Sequence, residues 1–247
     1  ALLAQTGHPN TYTFTKCLTE HLLATEYQDL PLRIVRPSII SASVEYPTPG
    51  WIDSHAAFAG FVALVGSGRL RALVANEQTR LDVVPCDVVS KIIIEEVFSE
   101  DAPPPGLVPI RHAVAGIVNA CTIESCWRIT VDWFSKRPAE KRPNLVHVGA
   151  PSLGYRMTEM LYHTLPGAVG NAWLGFIGNT KLQRQLRKLT DVQHYLNRGF
   201  RYFTTSTFDF ETRGSILPAE FNRRDYIRTV CEGVYRYLLK LDETEVS

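Results

Sequence analysis

Apolar residues Leu18, Leu22 and Leu23 recur near helical spacing behind Pro9-Asn10, a pair suited to open and cap a helix over Thr11 to Glu26. After Pro31, the run Leu32-Arg33-Ile34-Val35 predicts a short strand that Arg36-Pro37-Ser38 ends, because proline has no N–H to donate; Ile39 to Pro49 then reads as a loop. Asp53 predicts the cap of a second helix through Phe58, Phe61 and Leu64, stopped by Gly66-Ser67-Gly68, and Asp87 the start of a third through Ile92, Ile93 and Val97. The breaker Pro103-Pro104-Pro105-Gly106 is followed by a mostly helical stretch from Ala113 to Phe134, then a strand at Leu145-Val146-His147-Val148. Strand and helix in alternation imply a layered α/β architecture with a mainly parallel sheet. From Tyr155 the pattern is helical alone, notably Thr180 to Leu189 and Arg224 to Leu241, where Ile227, Val230, Val234, Leu238 and Leu241 repeat at three and four residues. A small helical second domain or cap is therefore expected over 154–247, behind a first domain at 1–153.

With 45% hydrophobic and 10% aromatic content, 247 residues bury a substantial core, so the chain is globular. A net charge of +1 argues against a protein built to neutralise nucleic-acid phosphates. Residues 1–150 hold 13 basic and 15 acidic groups and residues 151–247 hold 13 and 10, so any pull on an anionic surface falls weakly on the later part. Five cysteines, Cys17, Cys86, Cys121, Cys126 and Cys231, form no C-x-x-C and leave one over, which suits a reducing compartment and shows no zinc pattern. The longest charge-free stretches, Ser54 to Gly68 and Leu165 to Thr180, fall short of the ~20 apolar residues of a membrane span. No signal peptide is legible.

Tyr12 and Lys16 stand four apart on the first helix and so share one face. A phenol titrates near pH ~10, and a neighbouring ammonium favours phenolate, which makes such a pair a candidate for donating a proton to a nascent alkoxide. Lysine donors can also hold a cofactor ribose. The spacing alone is more often that of a surface lysine beside a core tyrosine; its context reverses that.

Pro9-Asn10-Thr11-Tyr12-Thr13-Phe14-Thr15-Lys16 closely resembles the segment around the catalytic tyrosine and lysine of fatty acyl-CoA reductases, within the extended short-chain dehydrogenase superfamily. Leu32-Arg33-Ile34-Val35-Arg36-Pro37-Ser38-Ile39 looks like that family's strand and turn lining the nicotinamide, and Pro49-Gly50-Trp51-Ile52-Asp53 resembles its proline-glycine-tryptophan element. Asp82 to Val89, Tyr162 to Gly167, Tyr202 to Thr205 and Phe208 to Phe210 are similar to later segments, in order. Two departures stand out. Pro103 to Asn144 reads like an insertion, and no G-x-G-x-x-G occurs, since Gly66-Ser67-Gly68 lacks a third glycine. In the family that fingerprint precedes the tyrosine motif, and its glycines admit the pyrophosphate to a helix amino end. The chain is therefore expected to be a fragment, the carboxyl-terminal part of a Rossmann-like doubly wound parallel sheet followed by a small mainly helical domain, and to be inactive in isolation.

The resemblance implies NADPH-dependent reduction of a long-chain acyl-CoA to aldehyde and then alcohol, with Tyr12 and Lys16 catalytic and also in contact with cofactor. Pro37, Ser38 and Ile39 are expected at the nicotinamide, and Trp51 at the acyl or pantetheine path, where a packing anchor is the equal alternative. The basic groups Arg69 and Arg71, or Lys181, Arg184, Arg187 and Lys188, are either CoA-phosphate contacts or a solvated face. His8 is either a proton relay or a loop histidine, and Leu165 to Ile177 either domain core or an interfacial segment. No metal is expected. The family also points to an intracellular setting with peripheral contact to peroxisomal or endoplasmic-reticulum membranes, although Glu245-Val246-Ser247 carries no legible address. The competing readings are another extended dehydrogenase, such as a carrier-bound thioester reductase or a sterol dehydrogenase, and a non-catalytic acyl-CoA-binding or membrane-associated fragment.

Overall fold

A computed structural model describes residues 2–27, 29–101, 103–104, 107–139, 141–187, 201–210 and 215–241. Helices α1 (Leu2–Thr6) and α2 (Thr11–Glu26) lead into strands β1 (Ile34–Pro37) and β2 (Ile39–Ser41), then α3 (Ala57–Gly66), β3 (Ala72–Val74), β4 (Arg80–Leu81), β5 (Val83–Pro85) and α4 (Cys86–Val97). There follow β6 (Ile110–Ala113), β7 (Cys121–Thr122), α5 (Ile123–Lys136), β8 (His147–Gly149), α6 (Leu153–Glu159), a π-helical turn (Met160–Thr164) and α7 (Leu165–Phe176). The last elements are α8 at 180–187, α9 (Arg201–Thr205), α10 (Arg223–Gly233) and a second π-helical turn (Val234–Leu238). β1 pairs with β6, β2 with β5 and β3 with β8, all parallel, and only the short β4–β7 pair is antiparallel among the described residues. The expected α/β class with mainly parallel pairing is what is found.

Pro37 does not end the extended chain, as its missing donor suggested. It closes the ladder with β6, opposite Ala113; at Ser38 the backbone changes partner, and Ile39–Ser41 pairs with Val83–Pro85, where a loop was expected. A proline removes one ladder donor on one side of a strand, and here that is where the neighbour is exchanged. Asp53 caps nothing: α3 begins four residues later behind Ala56, which makes no side-chain capping bond. Its predicted stop holds, with Gly68 at φ 68° and a Cβ there only 2.7 Å from the Arg142 carbonyl oxygen. Asp87 lies inside the first turn of α4, whose N-cap is Pro85.

The stretch read as helical from Ala113 is first strand and turn. Gly116 sits at φ 80°, and the helix waits for Thr122, whose hydroxyl accepts from the Ser125 amide as α5 opens. From there Ile123, Cys126, Thr130 and Phe134 form a buried stripe at three and four residues. The segment resembling an insertion thus supplies a central helix. α3, α5 and α10 pack together over β2 and β5, with Phe58, Val62, Cys126, Phe134, Ile227, Val230 and Val234 in one buried cluster. Each such aliphatic or aromatic side chain contributes ~1.5–3 kcal/mol by leaving water. Packing is close: a Cβ on Gly66 would meet the Phe134 ring at 2.5 Å.

α6 lies on β3 and β8, with Tyr155 buried against Ala72 and Val74. His163, in the π-helical turn beyond it, accepts from the Arg71 amide at 3.2 Å through Nε2. α7 buries no residue, and Leu165, Val169, Trp173, Phe176 and Ile177 are all at least half exposed, so this run is not core. Among the described residues no helix is long and apolar enough to cross a membrane.

Candidate active site around the amino-terminal helix

Asn10 begins α2 from extended backbone, its side-chain oxygen accepting from the Thr13 amide at 2.9 Å while its carbonyl accepts from the Thr13 hydroxyl at 3.1 Å. That cap sets the phase of the helix and so places Tyr12 and Lys16 on one face, with the Lys16 ammonium 5.8 Å from the centroid of the Tyr12 ring. The phenol is 62% exposed, and α2 buries no residue completely. Leu23 is half-buried, whereas Leu18 and Leu22 lie open. Both polar groups are therefore open to solvent, not packed away.

One further turn along the same stripe stands Glu20, which ties the helix to β1. Both of its oxygens accept from Arg36, with Nε at 3.0 and 3.1 Å and Nη2 closer still. The Arg36 hydrogen bond holds the Glu20 carboxyl below its usual 4.5, while Glu20 raises Arg36. Sequence reasoning missed this pair. Its signal was the i, i+4, i+8 series Tyr12, Lys16, Glu20 on α2, facing a charged residue just before Pro37.

Pro37, Ser38 and Ile39 follow Arg36 directly, so the Glu20 bridge is what relates the tyrosine helix to the expected nicotinamide turn. Pro37 is exposed; the Ser38 amide donates to the Ala113 carbonyl at 3.1 Å; half-buried Ile39 packs against the central core. The Ser38 hydroxyl donates to Asp82. Asp82 is 5% exposed, and its carboxylate also accepts from the Ala115 amide at 2.8 Å and the Gly116 amide at 2.7 Å. It thus fixes the turn at which the strand changes partner. Ser38 offers its side chain to the protein's own carboxylate, leaving Tyr12 and Lys16 as the open donors.

Trp51 is half-buried and closes a loop assembled on other groups. Its amide donates to the Ser43 hydroxyl at 3.1 Å, and Ser43 in turn exchanges backbone hydrogen bonds with Gly50 and Trp51. The Asp87 carboxylate, freed from any capping duty, gathers the amides of Val44, Glu45 and Tyr46 at 3.1, 2.8 and 2.9 Å. The far side of the loop rests on α10: the Tyr226 hydroxyl donates to the Ala42 carbonyl at 2.6 Å, and Gly50 lies against Gly233.

Of the remaining candidates, His8 lies edge-on to Phe14, ring centroids 5.5 Å apart. Arg71 stacks its guanidinium over Tyr162 at 5.9 Å and donates to the Asn144 carbonyl at 3.3 Å. Arg187 donates to Asn171, Lys181 and Arg184 are exposed or nearly so, and Lys188 falls outside the described residues. All five cysteines are free thiols. Among the described residues no cluster of metal-binding side chains occurs.

Comparison with known proteins bears out the resemblance. An NAD-binding family model described as "Male sterility protein" matches residues 2–93, which hold Tyr12, Lys16, the Pro37–Ile39 turn and Trp51 and fit the expected Rossmann-like class. Fatty acyl-CoA reductase 2 of Homo sapiens is 28% identical over 95% of this chain and 48% of its own length, and fatty acyl-CoA reductase 1 of Homo sapiens is 27% identical over 94% and 48%. Fatty acyl-CoA reductase wat of Drosophila melanogaster is 29% identical over 83% of this chain and 40% of its own. The chain spans about half the length of the curated relatives it matches. A structure of RMD from Pseudomonas aeruginosa complexed with NADPH is similar at 16% identity and a TM-score of 0.35 over 63% of this chain and 49% of that one, too remote to bear on function.

Proposed function

We propose that this chain carries the proton-donating half of an NADPH-dependent fatty acyl-CoA reductase, with Tyr12 as general acid and Lys16 as its electrostatic partner. The observation that carries the reading is the exposed phenol with an ammonium 5.8 Å from its ring, on a helix clamped by Glu20 and Arg36 to the strand that leads into Ser38. A ribose and a carboxamide are uncharged and need hydrogen-bonding partners. The open Tyr12 hydroxyl and the three N–H groups of Lys16 fit the former; the turn at Pro37, Ser38 and Ile39, whose Ser38 and Ile39 amides are already given to the Ala113 and Asp82 carbonyls, would meet the latter through backbone oxygens. No glycine fingerprint occurs along the 247 residues, so no pyrophosphate contact is assigned to this chain.

A bound nicotinamide cofactor would supply hydride to the thioester carbonyl, with CoA leaving as its thiol to give the aldehyde, and a second reduction would give the alcohol. What the chain's own residues contribute is a proton at the carbonyl oxygen, from the Tyr12 hydroxyl, with Lys16 stabilising the phenolate left behind. Glu20 holds the tyrosine helix through Arg36, and Asp82 holds the turn through Ser38. General-acid catalysis of this kind is worth ~10²–10⁴-fold. Trp51 is proposed along the acyl or pantetheine path, and the open apolar run of α7 as the site of peripheral contact with an intracellular membrane.

The test is Tyr12→Phe in the full-length protein, assayed with acyl-CoA, acyl-carrier and sterol substrates in parallel. The expected result is loss of alcohol formation from acyl-CoA by at least ~10²-fold with NADPH binding preserved. Unchanged turnover would refute the assignment, and preference for a carrier-bound or sterol substrate would move it to another dehydrogenase.

A further inference from the structure

Thr122 and Ser125 at the amino end of α5, and Arg223 and Arg224 at the amino end of α10, face one another across a cleft of about 230 Å3 that Arg80 and Cys121 complete. The lining holds three guanidinium groups and no carboxylate. Asp209, bound to Arg80 at 2.6 and 2.8 Å, offsets one of them, so two positive charges are left over. Arg223 is fixed by donation from Nη1 to the carbonyls of Val118 and Ala120 at 2.9 and 3.3 Å, which leaves Nε and Nη2 to present further donors in a rigid plane. The amino ends of two helices, 14 and 11 residues long, add their partial positive charge. Ile117 and Ala120 are neutral and the first-turn carboxylates Glu124 and Asp225 are paired with Arg128 and Arg228, so the balance of the lining favours an anion, and the bidentate geometry of arginine favours phosphate.

Size and place narrow the ligand. The cleft is smaller than the ~300–1,000 Å3 that encloses a drug-sized molecule, so it takes one charged end of a larger ligand. Its wall begins at Ile117, the residue after Gly116, whose amide lies on the same Asp82 carboxylate that receives the Ser38 hydroxyl. The cleft is thus coupled through two hydrogen bonds to the turn beside the tyrosine helix. We infer that it holds a phosphate group of the CoA portion of the thioester, an inference that rests on the reductase reading.

Cys121 supplies a local reporter. Its thiol lines the cleft and, although the residue is only 6% exposed, is lowered by a hydrogen bond from Cys126 and by the nearby Arg223 and Arg224, so its alkylation reports access through the cleft. The purified protein is titrated calorimetrically with CoA, pantetheine and inorganic pyrophosphate, and iodoacetamide labelling of Cys121 is followed by peptide mass mapping. The expected result is that CoA binds at least tenfold more tightly than either pantetheine or pyrophosphate and slows alkylation of Cys121 but not of exposed Cys17. Arg224→Glu, on the exposed first turn of α10, then weakens CoA at least tenfold and leaves pantetheine unchanged. Equal CoA affinity in wild type and Arg224→Glu, unprotected Cys121, or pyrophosphate binding as tightly as CoA would each overturn the inference. Failure of the reductase reading shows differently: Tyr12→Phe then keeps its turnover while the CoA affinity and the Cys121 protection stay as expected.

Discussion

Replacing Asp82 with asparagine keeps the shape of the side chain and changes one oxygen into a donor. One carboxylate oxygen accepts from the Ser38 hydroxyl and the Ala115 amide, and the other accepts from the Gly116 amide at 2.7 Å. In the best placement the new amide side chain retains the first two as neutral hydrogen bonds and turns its NH2 group toward the Gly116 N–H, which is then buried without an acceptor. A hydrogen bond to a charged group is worth ~1.5–3 kcal/mol, and the residue is 5% exposed, so water cannot make good the loss. Asp82→Asn should therefore cost about 2–4 kcal/mol in urea unfolding with an unchanged m-value, and Ser38→Ala about 1 kcal/mol. Because the two groups share one hydrogen bond, the double variant should fall short of the sum by ~0.5 kcal/mol or more. A loss below ~0.5 kcal/mol for Asp82→Asn, or strict additivity with Ser38→Ala, would show that this carboxylate does not hold the turn.

The Glu20–Arg36 bridge has a definite pH sign. Its hydrogen bond holds the folded-state carboxyl below 4.5, so the stabilisation is present above that value and is lost as the pH falls through the folded-state pKa. With the partners 29% and 44% exposed, Glu20→Gln should cost only ~0.2–1 kcal/mol at pH 7, and the gap from wild type should close as the pH is taken below 4.5; a gap that persists in acid contradicts the pairing. At the α10 contact, a Cβ on Gly233 would lie 1.8 Å from the Gly50 oxygen and 2.7 Å from its carbonyl carbon, both backbone atoms. Gly233→Ala should cost ~1–3 kcal/mol, a fall in Tm of roughly 2–12 °C by calorimetry, and an unchanged Tm would mean the loop and helix do not meet so closely.

Local chemistry made α2 readable, since Asn10 and the Tyr12–Lys16 spacing are decided within two turns of chain. The glycine stop after α3 and the stripe of α10 are likewise short-range signals. What escaped was set by partners distant in sequence. Asp53 and Asp87 both look like helix caps, yet Asp87 serves amides more than 40 residues away and Asp53 caps no helix. The Ala113 to Phe134 stretch has helical composition throughout, but Asp82 claims the amides of Ala115 and Gly116, and the helix is delayed to Ile123. The same long-range logic hid the phosphate-sized cleft, whose arginines come from segments far apart in the chain. Tyr12, Lys16 and the turn at Ser38 could be proposed from local motifs; Glu20 left only its spacing from Lys16 as a signal, and the partners of Asp82 lie more than 30 residues away.

The bond from Tyr226 to Ala42 joins residues 184 apart, and Gly233 seats the loop that carries Trp51. On a ribosome, which releases the chain from its amino end, that loop has no floor until the chain has emerged as far as Gly233. The tryptophan's surroundings are thus finished well after the tyrosine helix and its strands. A nascent chain interrupted before Arg223 would already hold the tyrosine helix and its strands, yet would leave the wall beside Ile52 and Phe58 bare and open to chaperones.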